Sequence, residues 1–209
     1  MGNTSSVTYK ITGSKDELKD LKKRLDSVKS KPTDGLVSFI DLYEECKYDY
    51  KTDWKTGCLI DTVSLEEDVL TLKATYDWCM DDCFYKFLLK TYPNLNAMVD
   101  EFEPNYSIYQ TNDKDRRFFK DKYWIKSGIK VEFEDDYIFD ENWDFFENEE
   151  EVIKFVKEFS EDDRISTMED VLNYINELDD MYEENGDCDK LLTLIEKEII
   201  DINTLYEND

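Results

Sequence analysis

Histidine does not occur anywhere in the 209 residues of this sequence. Its absence excludes the Ser/His/Asp triad, the Cys/His dyad, the histidine general base and every metal site that needs an imidazole ligand. Carboxylate chemistry stays open, but among 52 acidic residues a pair of carboxylates indicates nothing by itself. A carboxylate-dependent or metal-dependent hydrolase would need two or three acids that converge in an apolar pocket. We therefore expect a protein that is not an enzyme.

Long apolar runs are missing as well. No stretch approaches the ~18 to 20 residues that cross a bilayer, and residues 1–6 lack the basic and apolar regions of a secretory signal peptide. The odd count of five cysteines favours reduced thiols over a disulfide framework. Cys46, Cys58, Cys79 and Cys83 could supply four zinc ligands, but buried thiols are the simpler interpretation. We predict a cytoplasmic protein with no cofactor, no metal and no membrane partner.

Negative charge is abundant and unevenly distributed along the chain, whose formal net charge is −26. Residues 1–126 contain 20 Lys and Arg against 23 Asp and Glu, whereas residues 127–209 contain 6 against 29. The hydrophobic content of 40% and the aromatic content of 14% are too high for a disordered acidic tail. A folded segment that repels itself so strongly is not expected from stability alone, so the charge predicts a basic partner.

The first 126 residues alternate between strand and helix patterns. Apolar residues alternate with polar ones over residues 7–11 and predict a strand that ends at Gly13, and a capping box from Ser14 to Glu17 predicts a helix after it. A second helix is predicted between Asp82 and Pro93. This order predicts an α+β fold, with a ferredoxin-like antiparallel sheet and two helices in a domain over residues 1–126. Further strands are predicted over residues 36–42, 58–63, 69–76, 96–103, 106–110, 123–125 and 129–133. Hairpin turns are predicted between three pairs of them, at residues 65–68, at residues 104–105 and around residues 127–128.

Beyond residue 140 the apolar spacing changes to the helical period. Asn148 with Glu151, and Ser166 with Glu169, form capping signals ahead of apolar residues at helical spacing, and a last helix is predicted after Asp187. Residues 127–209 are therefore predicted to be an acidic, mainly helical region of three helices, packed on or beside the first domain.

A loose motif in the first domain is similar to a known family. It consists of the tripeptide Trp54-Lys55-Thr56, of a strand that leads into Tyr76-Asp77-Trp78, and of a helix that ends at Tyr92-Pro93. These residues resemble the Api92/YubB-like ferredoxin-fold proteins of plasmids and phages. The resemblance covers residues 5–126, implies a mobile-element origin and transfers no catalytic residue.

Residues 140–151 place oxygen ligands at positions 1, 3, 5 and 12 of an EF-hand-like calcium loop. Phe145 occupies position 6, where the sharp turn needs a glycine. A solvated acidic loop with a helix cap is therefore the favoured interpretation, and a weak calcium site is the alternative.

Two aromatic segments also have two interpretations each. The aromatic side chains of residues 137–146 are expected to pack the C-terminal helices onto the sheet, and exposed anchors for a basic partner are the alternative. The basic and aromatic residues of 114–124 have the composition of a nucleic-acid surface. Because a chain of charge −26 repels phosphate, an internal contact with the acidic C-terminal helices is favoured instead.

The acidic residues of the C-terminal region form the predicted binding surface. Carboxylates spaced by helix and strand geometry can approximate the phosphates of a duplex, which carry one charge per ~1.7 Å of axis. We expect a phage-derived or plasmid-derived inhibitor that mimics nucleic acid and blocks the basic channel of a nuclease or defence protein, as an anti-restriction or anti-CRISPR protein would. The alternatives are an immunity protein or antitoxin for a cognate toxin, and an acidic protein without a mimicry role. The predicted partner-binding residues are Glu132, Glu134, Asp135, Asp136, Asp140, Glu141, Asp144, Glu149, Glu150, Glu158, Glu161, Asp162 and Asp163.

Overall fold

The computed structural model describes residues 4–29, 39–48, 58–77, 80, 83–133, 136–185 and 188–201, with the backbone alone at 133, 136–137 and 183–185. The chain forms two compact units. Unit 1 comprises residues 1–119 and 198–209, and unit 2 comprises residues 120–197. The predicted domains, 1–126 and 127–209, stay a prediction; the observed units differ from them in assigning residues 120–126 to unit 2 and residues 198–209 to unit 1.

Strands and helices alternate along the described residues. In chain order, the elements are β1 (Thr4–Gly13), α1 (Lys15–Lys29), α2 (Ile40–Glu45), β2 (Cys58–Glu66), β3 (Val69–Asp77), α3 (Cys83–Thr91), β4 (Leu95–Glu103), β5 (Ile108–Thr111), β6 (Tyr123–Phe133), β7 (Asp136–Phe146), α4 (Glu149–Ser160), α5 (Met168–Asn185), β8 (Lys190–Glu196) and β9 (Glu198–Ile199). None of the helices in this part of the chain has the length and apolar content to cross a membrane.

Unit 1 is built on a six-stranded sheet in the order β2-β3-β1-β4-β5-β9. The neighbouring strands are antiparallel except for β5 and β9, which pair in parallel. Strand β1 buries every second residue, so Val7, Tyr9 and Ile11 lie in the core. The apolar stripe of α1 meets the same core, because Leu18 and Leu21 follow one another at helical spacing.

Two buried carboxylates of unit 1 are structural. Glu101 is 1% exposed and accepts hydrogen bonds from Ser5 Oγ at 2.7 Å, from the Met80 amide at 2.7 Å and from Gln110 Nε2 at 2.6 Å. Glu103 is fully buried and accepts hydrogen bonds from the side chain of Asn105 and from the backbone amide of Tyr106. Donors therefore surround both groups, as burial of a charge requires.

Unit 2 packs α4 and α5 against a three-stranded antiparallel sheet in the order β7-β6-β8. Its core joins Tyr123 and Ile125 of β6 and Leu192 of β8 to Val152 and Val156 of α4. Directly opposed residues of an antiparallel ladder point to the same face. The face of β6 that carries Ile125 is therefore the face covered by the helices.

The structure corrects the predicted fold. The chain is α+β, but the predicted ferredoxin-like antiparallel sheet with two helices is wrong, because the sheet of unit 1 has six strands and is mixed. The predicted three-helix C-terminal region is also wrong. In the described residues it contains two helices, the hairpin of β6 and β7, and the closing strands β8 and β9. The last predicted helix is strand β8, in which Leu194 pairs with Ile125 of β6.

Two local predictions also need correction. Residues 123–133 form one continuous strand rather than a hairpin around Ser127 and Gly128. A side chain at position 128 would crowd Phe139 and Leu191, whose Cβ atoms lie 3.3 and 3.4 Å from an added Cβ, so this glycine serves close packing and not a turn. The strand predicted over residues 36–42 is helix α2 from residue 40 onward, and residues 36–38 lie outside the described part.

Candidate functional site

Unit 2 carries most of the excess negative charge. It contains 26 acidic and 9 basic residues, a net charge of −17, whereas unit 1 contains 26 and 17, a net charge of −9. At least six of the nine basic residues of unit 2 already form ion pairs within the unit, which leaves most of the acids without a cation. These pairs are Lys122–Glu196, Lys126–Glu141, Lys154–Glu158, Lys157–Asp163, Arg164–Asp162 and Lys197–Asp121.

The predicted binding residues of the sheet lie on β6 and β7. The structure places Glu132 near the end of β6, where it is exposed. Strand β7 carries Asp140, Glu141 and Asp144, of which Asp144 is half-buried and the other two are exposed. Of the remaining three, Glu134 and Asp135 lie outside the described residues and Asp136 is described by its backbone alone.

The other predicted residues lie on α4 and in the loop after it. Glu149 and Glu150 occupy the first turn of α4, where the helix dipole favours negative charge. Glu158 is exposed in the last turn. The loop then continues with Glu161, which adopts the left-handed conformation at the helix end, and with Asp162 and Asp163.

The beginning of α4 was predicted correctly from its capping signal. The side chain of Asn148 accepts a hydrogen bond from the Glu151 amide at 3.0 Å, and the carboxylate of Glu151 accepts one from the Glu147 amide at 2.9 Å. The second cap uses other residues than predicted. Thr167 Oγ1 accepts from the Asp170 amide at 3.2 Å, and Asp170 accepts in return from the Thr167 amide at 2.9 Å.

Asp162 and Arg164 form a tight ion pair between the two helices. Arg164 donates from Nε to both carboxylate oxygens, at 2.9 and 3.1 Å, and from Nη2 at 2.7 Å. These hydrogen bonds lower the pKa of the Asp162 carboxyl from its ordinary 3.8 to about 2. Because the folded-state pKa lies below the ordinary value, this pair supports the folded state above about pH 4 and stops doing so as the pH falls towards 2.

Replacing Arg164 should therefore release the Asp162 carboxyl. We expect Arg164→Gln to return the pKa of Asp162 from about 2 towards 3.8, as measured by a carbon-detected NMR titration of the side-chain carboxyl. Lys154→Gln is the control. This substitution removes the same positive charge from unit 2, but Lys154 pairs with Glu158 and not with Asp162. A pKa of Asp162 that is the same in both variants would contradict this assignment.

Strand β7 and helix α4 border an open cavity of about 320 Å³, here called the trench. Its floor contains Ser127 and Ile129 of β6, and β7 contributes Asp140, Asn142 and Asp144. The register pairs Ile129 with Asp140 and Ser127 with Asn142, so these side chains share the face of the sheet that the helices cover. The opposite wall is formed by α4 through Phe155 and Phe159.

The structure brings together only part of the predicted set. Asp140 and Asp144 meet in the trench, whereas the acids of α4 lie at the two ends of a 12-residue helix, ~18 Å long. Sequence reasoning missed Ser127 and the amide of Asn142, because their place depends on the register of β6 and β7. It also missed acids that α5 exposes, although their helical segment was predicted: Glu169, Glu177, Asp179 and Asp180.

The calcium alternative does not fit the geometry. Residues 140–146 belong to an extended strand, so Asp140, Asn142 and Asp144 are spaced at ~6.6 Å along one face instead of converging on an ion. Across the described residues, no group of three or more His, Cys, Asp or Glu is placed to hold a metal ion. The cysteines of the zinc alternative that the structure describes, Cys46, Cys58 and Cys83, form no disulfide, and Cys79 lies outside the described residues.

The aromatic segment of residues 137–146 is partly packed in the core and partly exposed, and its role as an anchor for a basic partner stays a prediction. Phe146 packs against the core of unit 2 and its ring lies 5.2 Å from that of Phe155. Trp143 and Phe145 are 50% and 46% exposed. In the basic segment, Lys122 pairs with Glu196 of β8 at 3.2 Å, so the acidic partner that it contacts lies on a strand and not on a helix.

Comparisons with protein-family models, with curated proteins and with solved structures yield no match to this chain.

Proposed function

We propose that this chain is a non-enzymatic inhibitor whose unit 2 enters the basic nucleic-acid channel of a nuclease or defence protein and excludes the nucleic acid. The observation that carries the proposal is the charge of unit 2, where 26 acidic residues stand against 9 basic ones. A charge imbalance of this size destabilises a compact fold through self-repulsion. The same charge attracts a basic partner strongly.

The arrangement of the acids supports mimicry of a polyanion. Exposed carboxylates occur on a strand, on both helices and in the loop between the helices, so they are spread over the unit and not confined to one tail. Asp163, whose side chain is 99% exposed, and Glu158, at 70%, are examples. A basic channel that is lined to contact successive phosphates meets repeated negative charge on such a surface.

The proposal includes a cytoplasmic location and a phage or plasmid origin. The origin rests only on the loose sequence motif that resembles the Api92/YubB-like proteins, because the ferredoxin-like sheet that the resemblance implied is not the sheet observed. A binding role needs no catalytic group, which agrees with a sequence that has no histidine. Electrostatic steering would make the association fast and sensitive to salt.

A displacement assay tests the proposed function. Purified restriction nucleases and CRISPR effector complexes are bound to a fluorescent duplex, and the full-length protein is titrated in at 50 mM and 200 mM salt. We expect displacement of the duplex from at least one of them, weaker at the higher salt. Replacing Glu150, Glu158, Glu161 and Asp163 by Gln or Asn should weaken displacement about tenfold, because four exposed charges of unit 2 are lost.

The matched control removes four exposed charges from unit 1. Glu44, Glu66, Glu67 and Asp77 are exposed there, and neutralising them changes the net charge by the same amount. An equal loss in both quadruple variants, or displacement that does not depend on salt, would refute mimicry by unit 2. Tight binding to a single cognate toxin that is insensitive to salt would favour the immunity-protein alternative.

A further inference from the structure

The trench of unit 2 combines acids with apolar walls, which distinguishes it from the rest of the acidic surface. Asp140 and Asp144 stand along one wall, and the rings of Phe155 and Phe159 form the other. The two rings are stacked, with centroids 6.2 Å apart and planes inclined by 9°. None of the residues that line the trench is basic. The cavity therefore offers negative charge beside aromatic faces, the combination that attracts a cation.

The floor of the trench also offers a hydroxyl that has no hydrogen bond within the described part of the protein. Ser127 is only 5% exposed, and its side chain has no hydrogen bond among the described residues. The residue lines an open cavity, so a ligand in the trench can reach the hydroxyl. A ligand that donates a hydrogen bond into the trench would satisfy it, and the side-chain oxygen of Asn142 offers a second acceptor beside it.

The protein's own Lys190 shows that this aromatic wall tolerates a cation. Its Nζ lies 5.4 Å from the centroid of the Phe159 ring and donates a hydrogen bond to the Phe159 carbonyl at 2.8 Å. Lys190 pairs with Ile129 in the ladder of β6 and β8, so it reaches Phe159 from the side of β8. The trench itself lies on the side of β7, and Lys190 is not among its lining residues.

We propose that the trench binds one arginine side chain of the basic partner. This inference rests on the proposed function, because the arginine belongs to the channel that unit 2 enters. The planar guanidinium stacks on the ring of Phe155 or Phe159, donates two parallel hydrogen bonds to Asp144 and reaches Ser127 with a further N–H. An ammonium matches this set less well, because it is a compact charge that neither stacks nor forms a planar fork.

The volume of the trench fits one long side chain. About 320 Å³ lies at the lower end of ligand pockets, which measure ~300 to 1,000 Å³. One arginine in the trench would be an anchor within a wider electrostatic contact. It would make the surface prefer some basic partners over others, which charge alone does not do.

An NMR titration of the full-length, ¹⁵N-labelled protein tests this proposal. The probe is N-acetyl-arginine amide, with N-acetyl-lysine amide and the neutral N-acetyl-citrulline amide as comparisons. We expect saturable shifts of the Ser127, Asn142 and Asp144 amides with the arginine probe, at a dissociation constant of about 1 to 10 mM. The lysine probe should bind at least about threefold more weakly, and the citrulline probe should give no saturation.

Two variants separate the trench from general attraction to an acidic protein. Asp144→Asn should weaken the arginine probe about tenfold, because it removes the charge of a bidentate contact. Asp163→Asn removes the same charge from a fully exposed site outside the trench and should change the binding less than about twofold. Equal effects of the two variants, or equal binding of the arginine and lysine probes, would overturn the proposal.

Failure of this inference is distinguishable from failure of the proposed function. The quadruple variant of Glu150, Glu158, Glu161 and Asp163 leaves the trench residues intact, so it should bind the arginine probe as the unchanged protein does. If the duplex is displaced as expected but the probe does not reach the trench, then the inference is wrong and the proposed function stands. If the probe binds in the trench but no duplex is displaced, then the arginine does not belong to a nucleic-acid channel and the proposal as stated is wrong.

Discussion

Asp121→Asn is expected to lower the free energy of unfolding by about 3 kcal/mol, because it removes the carboxylate that faces a buried ammonium. The side chain of Lys197 is fully buried, and its Nζ lies 2.5 Å from Asp121 Oδ2. Breaking a buried pair costs ~3 to 5 kcal/mol. We expect the lower end of that range, since the side chain of Asp121 is 32% exposed and water can replace part of the lost contact.

The backbone around Lys197 is held by hydrogen bonds, which hinders its side chain from turning outward to solvent. Its backbone amide donates a hydrogen bond to the Lys122 carbonyl at 2.7 Å, and the Lys122 amide donates to the Phe146 carbonyl at 2.7 Å. The backbone next to the ends of β7, β6 and β8 is therefore fixed around the pair. A lysine held in this way keeps its ammonium in the interior when the carboxylate is lost.

Urea denaturation followed by circular dichroism measures the loss, and two further variants interpret it. Glu158→Gln breaks the exposed pair with Lys154, in which the two side chains are 70% and 77% exposed, and should cost less than about 0.5 kcal/mol. The double variant Asp121→Leu with Lys197→Met replaces the pair by apolar groups and should recover much of the stability that Asp121→Asn loses. If Asp121→Asn is as stable as Glu158→Gln, the pair does not carry the assigned role.

Much of unit 1 could be predicted because its signals are local. The alternation of residues 7–11 and the capping pattern after Gly13 placed β1 and α1, and both hairpins of the sheet, β2–β3 and β4–β5, were found from short turns between apolar segments. The addition of β9 could not be predicted. It is a two-residue strand that pairs with β5 in parallel. Because the two strands lie far apart in the sequence, their pairing leaves no local pattern.

The C-terminal region was mispredicted where the apolar pattern is ambiguous. Residues 191–195 are apolar at four of five positions, which fits one face of a helix and equally a strand buried on both sides. Pairing with β6 decides between the two, since Leu192 lies opposite Ser127 and Leu194 opposite Ile125. Strand β7 was missed for a similar reason, because its acids indicated a loop and concealed the alternation of Asp140, Asn142 and Asp144 on one face.

The sequence predicts where the excess negative charge lies, but it does not predict the trench. Composition alone placed the excess of carboxylates after residue 126. The trench needs the register of β6 and β7 and the approach of α4, which together bring Asp144, Ser127 and Phe159 to one cavity. No spacing in the sequence predicts that these three residues line one cavity, because they lie on different elements.

Gly13→Ala is expected to destabilise unit 1 by about 4 kcal/mol, through backbone strain and a direct clash. Gly13 has a φ of +136°, a conformation that costs other residues ~1 to 3 kcal/mol. A Cβ at this position would lie 2.1 Å from the Asn94 carbonyl oxygen and 3.1 Å from Leu95 Cα. Both are backbone atoms at the start of β4, so relief requires a shift of the strand that pairs with β1.

Gly128→Ala is the matched control, because it adds the same methyl group to a strand of unit 2. There the added Cβ meets the side chains of Phe139 and Leu191 at 3.3 to 3.4 Å, contacts that small rotations relieve, and we expect a cost of about 1 kcal/mol. Urea denaturation of the full chain compares the two variants. If both lose the same stability, the clash with Asn94 does not exist and the turn between β1 and α1 adopts another conformation. A loss at least about 2 kcal/mol larger for Gly13→Ala would show that the backbone at residue 13 can be built only by glycine.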